Sequence, residues 1–328
     1  MGIDVLQPGF FSTVQDLGRY NFQKFGMIVS GVMDNFATRI ANILVGNDEG
    51  EAVIETMLHG LKIKINEDTV IAITGSKTRP LLNGAPIPMW RPVYVHAGDI
   101  ISMPKLDNGL FTYIAFSGGL NIPVKFGSKS TYLSANFGGH EGRTLKKNDY
   151  IPFENESNEN RKIKKYLKNN DYKVSWFVRY HDFYALTHEA ELKVIEGKEF
   201  DWFTEESKNN FLKDPFTLSP ESNRMGFKLN GPNLQTKQQQ ELLSEGVTYG
   251  TIQVPSSGQP IVLMADHQTI GGYPKIGQLI SANFSKLAQL QPGAKIKFTR
   301  ISLEEAERMY IKKEQIINHI KQSISLKI

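Results

Sequence analysis

Cysteine is absent from all 328 residues, which excludes disulfides, thiolate nucleophiles and the usual sulfur ligands of zinc. Compact catalytic signatures are missing too: there is no Gly-x-x-x-x-Gly-Lys-Ser/Thr phosphate loop, no Gly-x-Ser-x-Gly elbow and no His-Glu-x-x-His zinc helix. Nucleotide binding in the Walker manner is therefore not expected. No apolar run approaches the roughly 20 residues that cross a bilayer. The amino terminus, Met1-Gly-Ile-Asp-Val-Leu-Gln-Pro-Gly9, has an acid and a proline where a signal peptide needs a basic start and a long apolar stretch. A large excess of either charge is lacking as well. The net charge is +4 and the basic residues are scattered, so no stripe suited to nucleic acid is present. The resulting expectation is a cytoplasmic, soluble protein with neither a nucleic-acid nor a membrane partner.

What is present suffices for a large core. At this length, 40% hydrophobic content supports two domains or one large β unit. Short β-branched and aromatic runs, among them Leu61 to Ile65, Thr69 to Thr74, Val93 to His96, Ile100 to Met103, Phe111 to Phe116, Leu192 to Ile195 and Lys295 to Phe298, are separated by Gly, Pro, Asn and Asp. They predict a mainly β protein of barrels or sandwiches. Three turns, Ala97-Gly-Asp, Lys147-Asn-Asp and Pro292-Gly-Ala, each lead into a short apolar strand that could close a small barrel. Two segments read as helices. Asp34 caps the first, Phe36, Ile40, Ile43 and Leu44 form its apolar face, and Gly46 ends it. The second starts near Ser302 with Glu305 in a capping box and continues through Ala306, Tyr310, Ile317, Ile320 and Ile324, either as a solvated tail packed on its own protein or as a partner surface.

Residues 154 to 172 carry almost no apolar content, an acidic-polar part preceding a basic one. They read as a solvated linker between an N-terminal β half, 1–153, and a C-terminal β half, 173–301, with the helix of 302–328 following. The histidines are dispersed; His181-Asp182 with His188-Glu189 is the only metal-like grouping. A separation of seven puts those histidines on opposite faces of a strand, so ordinary structural roles are expected and no metal site.

Candidate chemistry sits in loops. Val262, Leu263 and Met264 read as a buried strand, at whose end Asp266, His267, Gln268 and Thr269 are followed by Gly271, Gly272 and Tyr273. Arginines occur in glycine-bearing loops: Gln15-Asp-Leu-Gly-Arg19, Gly138-Gly-His-Glu-Gly-Arg143 and Ser222-Asn-Arg224-Met-Gly226. Each offers a planar cationic fork for a carboxylate or phosphate, or alternatively a salt bridge that staples a loop. Gly127-Ser128-Lys129-Ser-Thr131 adds hydroxyls and an ammonium.

Together with Ser30-Gly-Val-Met-Asp34, Ala41-Asn-Ile-Leu-Val-Gly-Asn47, Phe116-Ser-Gly-Gly119, Gln253-Val-Pro255 and Ala265-Asp-His-Gln-Thr-Ile-Gly-Gly-Tyr-Pro274, these ordered motifs resemble the allophanate hydrolase subunit 2 family, also called the biotin-dependent carboxyltransferase-like family. The resemblance runs from about Val5 to about Phe298. It implies cyclophilin-like β-barrel subdomains in two halves and a place in an ATP-dependent 5-oxoprolinase complex that opens 5-oxoproline to glutamate. The implied partners are the B-type 5-oxoprolinase protein, which is allophanate hydrolase subunit 1-like, and the A-type protein of the same complex. ATP would be bound mainly outside this chain, with no metal or biotin attached to it.

On this reading Asp266, His267 and Gln268 are catalytic, while Arg19, Ser128, Lys129, Arg143, Arg224, Thr269, Gly271, Gly272 and Tyr273 bind substrate or anion. The pattern differs from the family's common residues at Lys129 and His267, where Arg is usual, and at Asn223, where Asp is usual; the lost carboxylate at Asn223 matters most. The alternatives are the carboxyltransferase component of a biotin-dependent urea carboxylase-like system, for which this chain lacks the Met-Lys-Met attachment sequence, and a non-catalytic antagonist of a histidine-kinase inhibitor.

Overall fold

The computed structural model describes residues 1–179, 187–238 and 242–328. The His181-Asp182 part of the metal-like grouping lies outside them. The chain divides into two compact units, one of Met1–Arg19, Ser30–Leu186 and Ile316–Ile328 and the other of Tyr20–Val29 and Thr187–Gln315. Among the described residues no helix is long and apolar enough to cross a membrane.

Two open sheets make the first unit. The six-stranded sheet has the spatial order Tyr150–Pro152, Gly2–Pro8, Leu61–Ile65, Ile100–Ser102, Leu81–Leu82 and Ala85–Pro86. The five-stranded sheet has the order Phe11–Gln15, Val53–Met57, Asn108–Phe116, Thr69–Lys77 and Pro92–Val95. Alternation decides which face is buried: Leu61, Ile63 and Ile65 point inward while Lys62 and Lys64 are exposed. One apolar cluster joins Ile3, Val5, Ile63 and Ile101 of the first sheet to Val14, Ile54, Ile73 and Ile114 of the second, a two-sheet sandwich core.

The opposite face of the five-stranded sheet carries a row of buried polar residues. Thr13 faces Glu55, Glu55 faces Tyr113 and Tyr113 faces Thr74 across successive strands. Helix α1, Asn35–Val45, lies against this sheet; its start is capped as the sequence predicts, Asp34 accepting from Ala37 N–H at 3.0 Å, and Gly46 ends it in the left-handed conformation. The buried row anchors it. Thr74 Oγ1 donates to the Ala37 carbonyl at 2.8 Å, and Glu55 accepts from Tyr113 Oη at 2.9 Å and Met33 N–H at 2.8 Å.

Residues 154–172 are not a linker. They contain helix α2, Asn158–Asn169, opened by a capping box between Ser157 and Asn160. Inward positions 160, 163 and 167 follow helical spacing, and Ile163 and Leu167 are buried. Each such side chain contributes about 1.5–3 kcal/mol, so two suffice to dock a helix whose other face is charged. Asn160 is buried without loss because its Nδ2 donates to the Val45 carbonyl at 2.7 Å and to Asn47 Oδ1 at 2.9 Å. The boundary proposed at 173 also moves: Val174 and Val178 are buried, and Val178 N–H donates to the Trp90 carbonyl at 2.9 Å, inside the first unit.

The second unit is built on a closed barrel with the order Glu189–Glu196, Lys275–Leu279, Thr251–Gln253, Ile261–Leu263, Gly226–Asn230, Phe216–Leu218 and Lys295–Arg300. A parallel pairing of Glu189–Glu196 with Lys295–Arg300 closes it. Two-barrel expectations are thus met by one closed barrel and one sandwich. Of the three turns singled out in the sequence, only Pro292-Gly-Ala leads into a strand of that barrel; those at 97 and 147 lead into the open six-stranded sheet. Helix α3, Glu205–Lys213, sets Phe211 on Phe298 with ring centroids 4.8 Å apart. Helix α4 is the short Phe284–Ala288, and helix α5 is Leu303–Ser325. Ser302 Oγ accepts from Glu305 N–H at 3.2 Å. On α5 Tyr310 is exposed, whereas Ile317 and Ile324, in the part of the helix that belongs to the first unit, are buried. A two-stranded ribbon of Glu245–Gly246 and Ile270–Gly271 completes the second unit.

Candidate active site

The loop after Ile261–Leu263 grows directly out of the barrel. Gly226 pairs with Leu263, and past the strand ends the pairing continues as backbone bonds, Met264 N–H to the Met225 carbonyl at 3.0 Å and Asp266 N–H to the Arg224 carbonyl at 2.8 Å. Two turns far apart in sequence are thereby zipped together. Arg224 and Asp266 then meet as a bidentate pair, Nε to Oδ2 at 2.9 Å and Nη2 to Oδ1 at 3.1 Å, with side chains 9% and 8% exposed. A fork matched to a carboxylate in this way fixes both loops at once. Asn223 supports the same turn, its Oδ1 accepting from Met225 N–H at 2.8 Å and Gly226 N–H at 3.3 Å. An aspartate offers the same acceptor, so the departure at this position leaves the turn chemistry intact.

His267 is buried beside that pair. Its Nδ1 lies 2.6 Å from the Gln268 carbonyl; because a carbonyl only accepts, Nδ1 carries the proton and Nε2 keeps its lone pair. Burial pushes the imidazole pKa below its ordinary value, against the opposing pull of the Gln268 carbonyl and the Asp266 charge. The result is a neutral imidazole with a free basic nitrogen at neutral pH. Gln268 Nε2 donates to Gln253 Oε1 at 3.4 Å, the Thr269 carbonyl accepts from Val247 N–H at 3.1 Å, and Gly271 pairs with Glu245 in the ribbon. Tyr273 is half-exposed at the ribbon's end. The segment from Asp266 to Tyr273, with Arg224, is therefore one constellation within the second unit.

Arg19, Ser128, Lys129 and Arg143 belong to the first unit. There the hub is Asp16, which sequence reasoning passed over in favour of Arg19. Asp16 Oδ1 accepts from Gly18 N–H at 2.8 Å, Ser128 Oγ at 2.7 Å and Ser130 Oγ at 2.5 Å, and Oδ2 accepts from Lys129 N–H at 2.6 Å. Arg19 is fully buried, donates from Nη2 to the Ser130 carbonyl and stacks on Phe137 with its guanidinium 5.4 Å from the ring centre. The close approach explains Gly138: a Cβ there would meet the Ser130 carbonyl oxygen at 2.1 Å and Arg19 Nη2 at 2.7 Å. The signal for the hub was legible, since Asp-Leu-Gly is an aspartate followed two residues later by a glycine amide, the Asx-turn pattern.

The remaining cations have acids of their own. Lys129 Nζ donates to Glu51 Oε1 at 2.7 Å and the Leu120 carbonyl at 3.0 Å, with Glu154 at 3.4 Å. It lines a cavity of about 980 Å³ whose wall includes both acids, so the charge beside the ammonium is net negative. Arg143 is paired to Asp149 at 2.7 and 2.8 Å and to Glu141; the bond from Asp149 raises the guanidinium pKa, and burial of Asp149, which alone would raise that acid, is outweighed by Arg143, the Lys146 N–H and His140 together, which lower it. Among the described residues no cluster of three metal-ligating side chains occurs.

Two further residues of the constellation escaped the sequence reading. Gln253 and Lys275 are buried at 2% and 8% exposure under the ribbon. Gln253 lies between Ile252 and Val254, all three buried, and a polar residue inside such an apolar strand is itself a signal.

Comparison with known proteins places these features in a family. A family model described as "Carboxyltransferase domain, subdomain A and B" matches residues 25–300. The C subunit of 5-oxoprolinase from Haemophilus influenzae is 33% identical over 325 residues, covering 99% of each chain, and its counterpart from Escherichia coli, also a 5-oxoprolinase C subunit, is 36% identical over 308 residues, covering 93% of each. The crystal structure of the Kluyveromyces lactis urea amidolyase is similar with a TM-score of 0.86 at 27% identity over 97% of this chain. This chain spans only 20% of that larger one.

Proposed function

The chain belongs to the carboxyltransferase domain family, and we propose that within it this protein serves as the C-type component of a cytoplasmic, hetero-oligomeric 5-oxoprolinase, which opens 5-oxoproline to glutamate with ATP. The observation that carries this reading is end-to-end similarity to two 5-oxoprolinase C subunits, 99% and 93% of each chain, against 20% of the urea amidolyase. The partners are the B-type and A-type proteins, and the assembled complex is the active species.

The described residues do not fit a triphosphate cradle. The sequence has no phosphate loop, and Lys129, Arg143 and Arg224 each face a carboxylate of this chain. ATP is accordingly assigned to the partners, and no step on this chain runs through it. This chain's own contribution is proton handling and substrate positioning. Ring opening adds water to the lactam carbonyl carbon and breaks its bond to nitrogen, leaving a carboxylate and an amine. His267 Nε2 takes a proton from the attacking water and returns one to the departing nitrogen, general catalysis suited to a neutral imidazole. Arg224 and Asp266 hold the loop that carries it.

The test is reconstitution. Purified chain, B-type and A-type proteins, ATP and 5-oxoproline are combined and glutamate is measured; release by the complete mixture and by no single component is expected. The likeness to the urea amidolyase structure favours one second reading, carboxyl transfer from biotin to urea. Carboxylation of urea when a biotin carboxylase and carrier protein replace the A-type and B-type proteins, with no glutamate from the first mixture, would establish it instead.

A further inference from the structure

In the second unit, two buried side-chain nitrogens lack a hydrogen-bond partner among the described residues, Gln253 Nε2 and Lys275 Nζ. They are not scattered. Gln253 and Lys275 are direct cross-strand partners where Thr251–Gln253 pairs with Lys275–Leu279, and opposed residues project from the same face of a sheet. The register shifts between Ile252 and Gln253, and such bulges re-aim side chains beside functional sites.

Both residues lie against the ribbon that carries the candidate loop. A Cβ on Gly271 would fall 2.4 Å from Gln253 Nε2. Glu245, the partner of Gly271 across the ribbon, comes within 3.5 Å of Lys275 Nζ. Glu199 Oε2 is 3.2 Å from the same ammonium and also accepts from Lys275 N–H at 3.0 Å. Glu245 also pairs with Lys198 Nζ at 2.5 Å, so two ammonium groups and two carboxylates balance here, and Lys275 Nζ makes no directed hydrogen bond. Gln268, donating to Gln253 Oε1, fixes which end of that amide faces the ribbon.

Unused buried donors weaken a fold unless a ligand satisfies them. We propose that Gln253 and Lys275 form a donor subsite beneath the ribbon for a small cyclic amide acid, Gln253 donating to the lactam carbonyl and Lys275 to the carboxylate. This rests on the 5-oxoprolinase reading, since 5-oxoproline carries both acceptors. Because Gly271 has no side chain, ribbon backbone packs directly over Gln253 while the Glu245 side chain covers Lys275, and substrate entry requires the ribbon to move aside.

The experiment has two arms. Ligand-observed NMR measures binding of 5-oxoproline and of neutral 2-pyrrolidinone to the full chain, and the reconstituted complex supplies KM and kcat. Gln253→Met should raise Kd and KM for 5-oxoproline about tenfold, with kcat changed less, and should not lower the melting temperature, because removing the unsatisfied donor offsets losing the acceptor that Gln268 uses at 3.4 Å. A structural glutamine would lower it. Lys275→Met should erase the preference for 5-oxoproline over 2-pyrrolidinone; if that variant does not fold, Gln253→Glu, which turns a donor into an acceptor facing the substrate, should abolish binding. Unchanged binding in Gln253→Met, or no binding of 5-oxoproline to the wild-type chain, overturns the subsite. Binding that depends on Gln253 without turnover in the complete mixture keeps the subsite and removes the 5-oxoprolinase reading.

Discussion

The Asp16 knot and the Asp266 loop are made from the same materials, arginine, hydroxyl, amide and glycine, yet they are finished differently. In the knot, Ser128, Ser130 and the amides of Gly18 and Lys129 all spend their protons on one carboxylate. In the loop, one arginine and one carboxylate close on each other, and beside them remain a neutral imidazole and two buried donors without hydrogen bonds. A motif whose donors converge on an internal acid holds a chain together. A motif that leaves donors and a basic nitrogen over is prepared for something outside the chain.

The largest effect that can break this comparison is in the knot. Asp16→Ala strands several buried donors at about 1–3 kcal/mol each, so a loss of at least about 3 kcal/mol is expected in denaturant unfolding, with activity falling only in step with the folded fraction. An active-site role would reduce activity of the folded molecules as well. Asp266→Asn comes next: removing one charge of a buried pair typically costs about 3–5 kcal/mol, although the retained amide oxygen keeps one bond and should bring the loss to the lower end. Differential scanning calorimetry checks it. An unchanged melting temperature would make Asp266 a group that acts on substrate and not a brace for His267. The smallest effect sharpens the comparison. Asn223→Asp preserves the acceptor for Met225 and Gly226 N–H, and a stability change within about 0.5 kcal/mol with unaltered turnover is expected; a large gain in turnover would give the family's usual carboxylate a chemical role at this position.

Much of this architecture is legible from local rules. Asp34 and Gly46 bracket α1 as their capping chemistry requires, and the β-branched and aromatic runs from Leu61 and Phe111 form strands as expected. The glycine-bearing loop after Val262 and Leu263 is likewise visible because strand and loop are contiguous. What is hidden is long-range. Ser128 and Ser130 find Asp16 across 112 and 114 positions, and no local pattern distinguishes a lysine awaiting a phosphate from one already held by Glu51. Helix α2 is hidden for a different reason: Ile163 and Leu167 supply its buried apolar contacts, too few to register against its charged remainder. The assignment of Tyr20–Val29 to the second unit has no sequence signature at all.

The most direct test of where the chemistry resides is the pH–rate profile of the reconstituted complex with wild-type chain and with His267→Gln. Burial holds the His267 pKa below its ordinary value of about 6.5. The imidazole is therefore neutral above that pH, and both its basicity and the stability gained by burying it uncharged are lost as pH falls through the lowered value. Wild-type kcat/KM should be flat near neutrality and drop on the acid side below about 6.5, while His267→Gln should lose about 10²–10⁴-fold and the acid limb with it, at an unchanged melting temperature near neutral pH. A His267→Gln chain that folds, assembles and retains the wild-type rate and the same acid limb would contradict the assignment of catalysis to this loop.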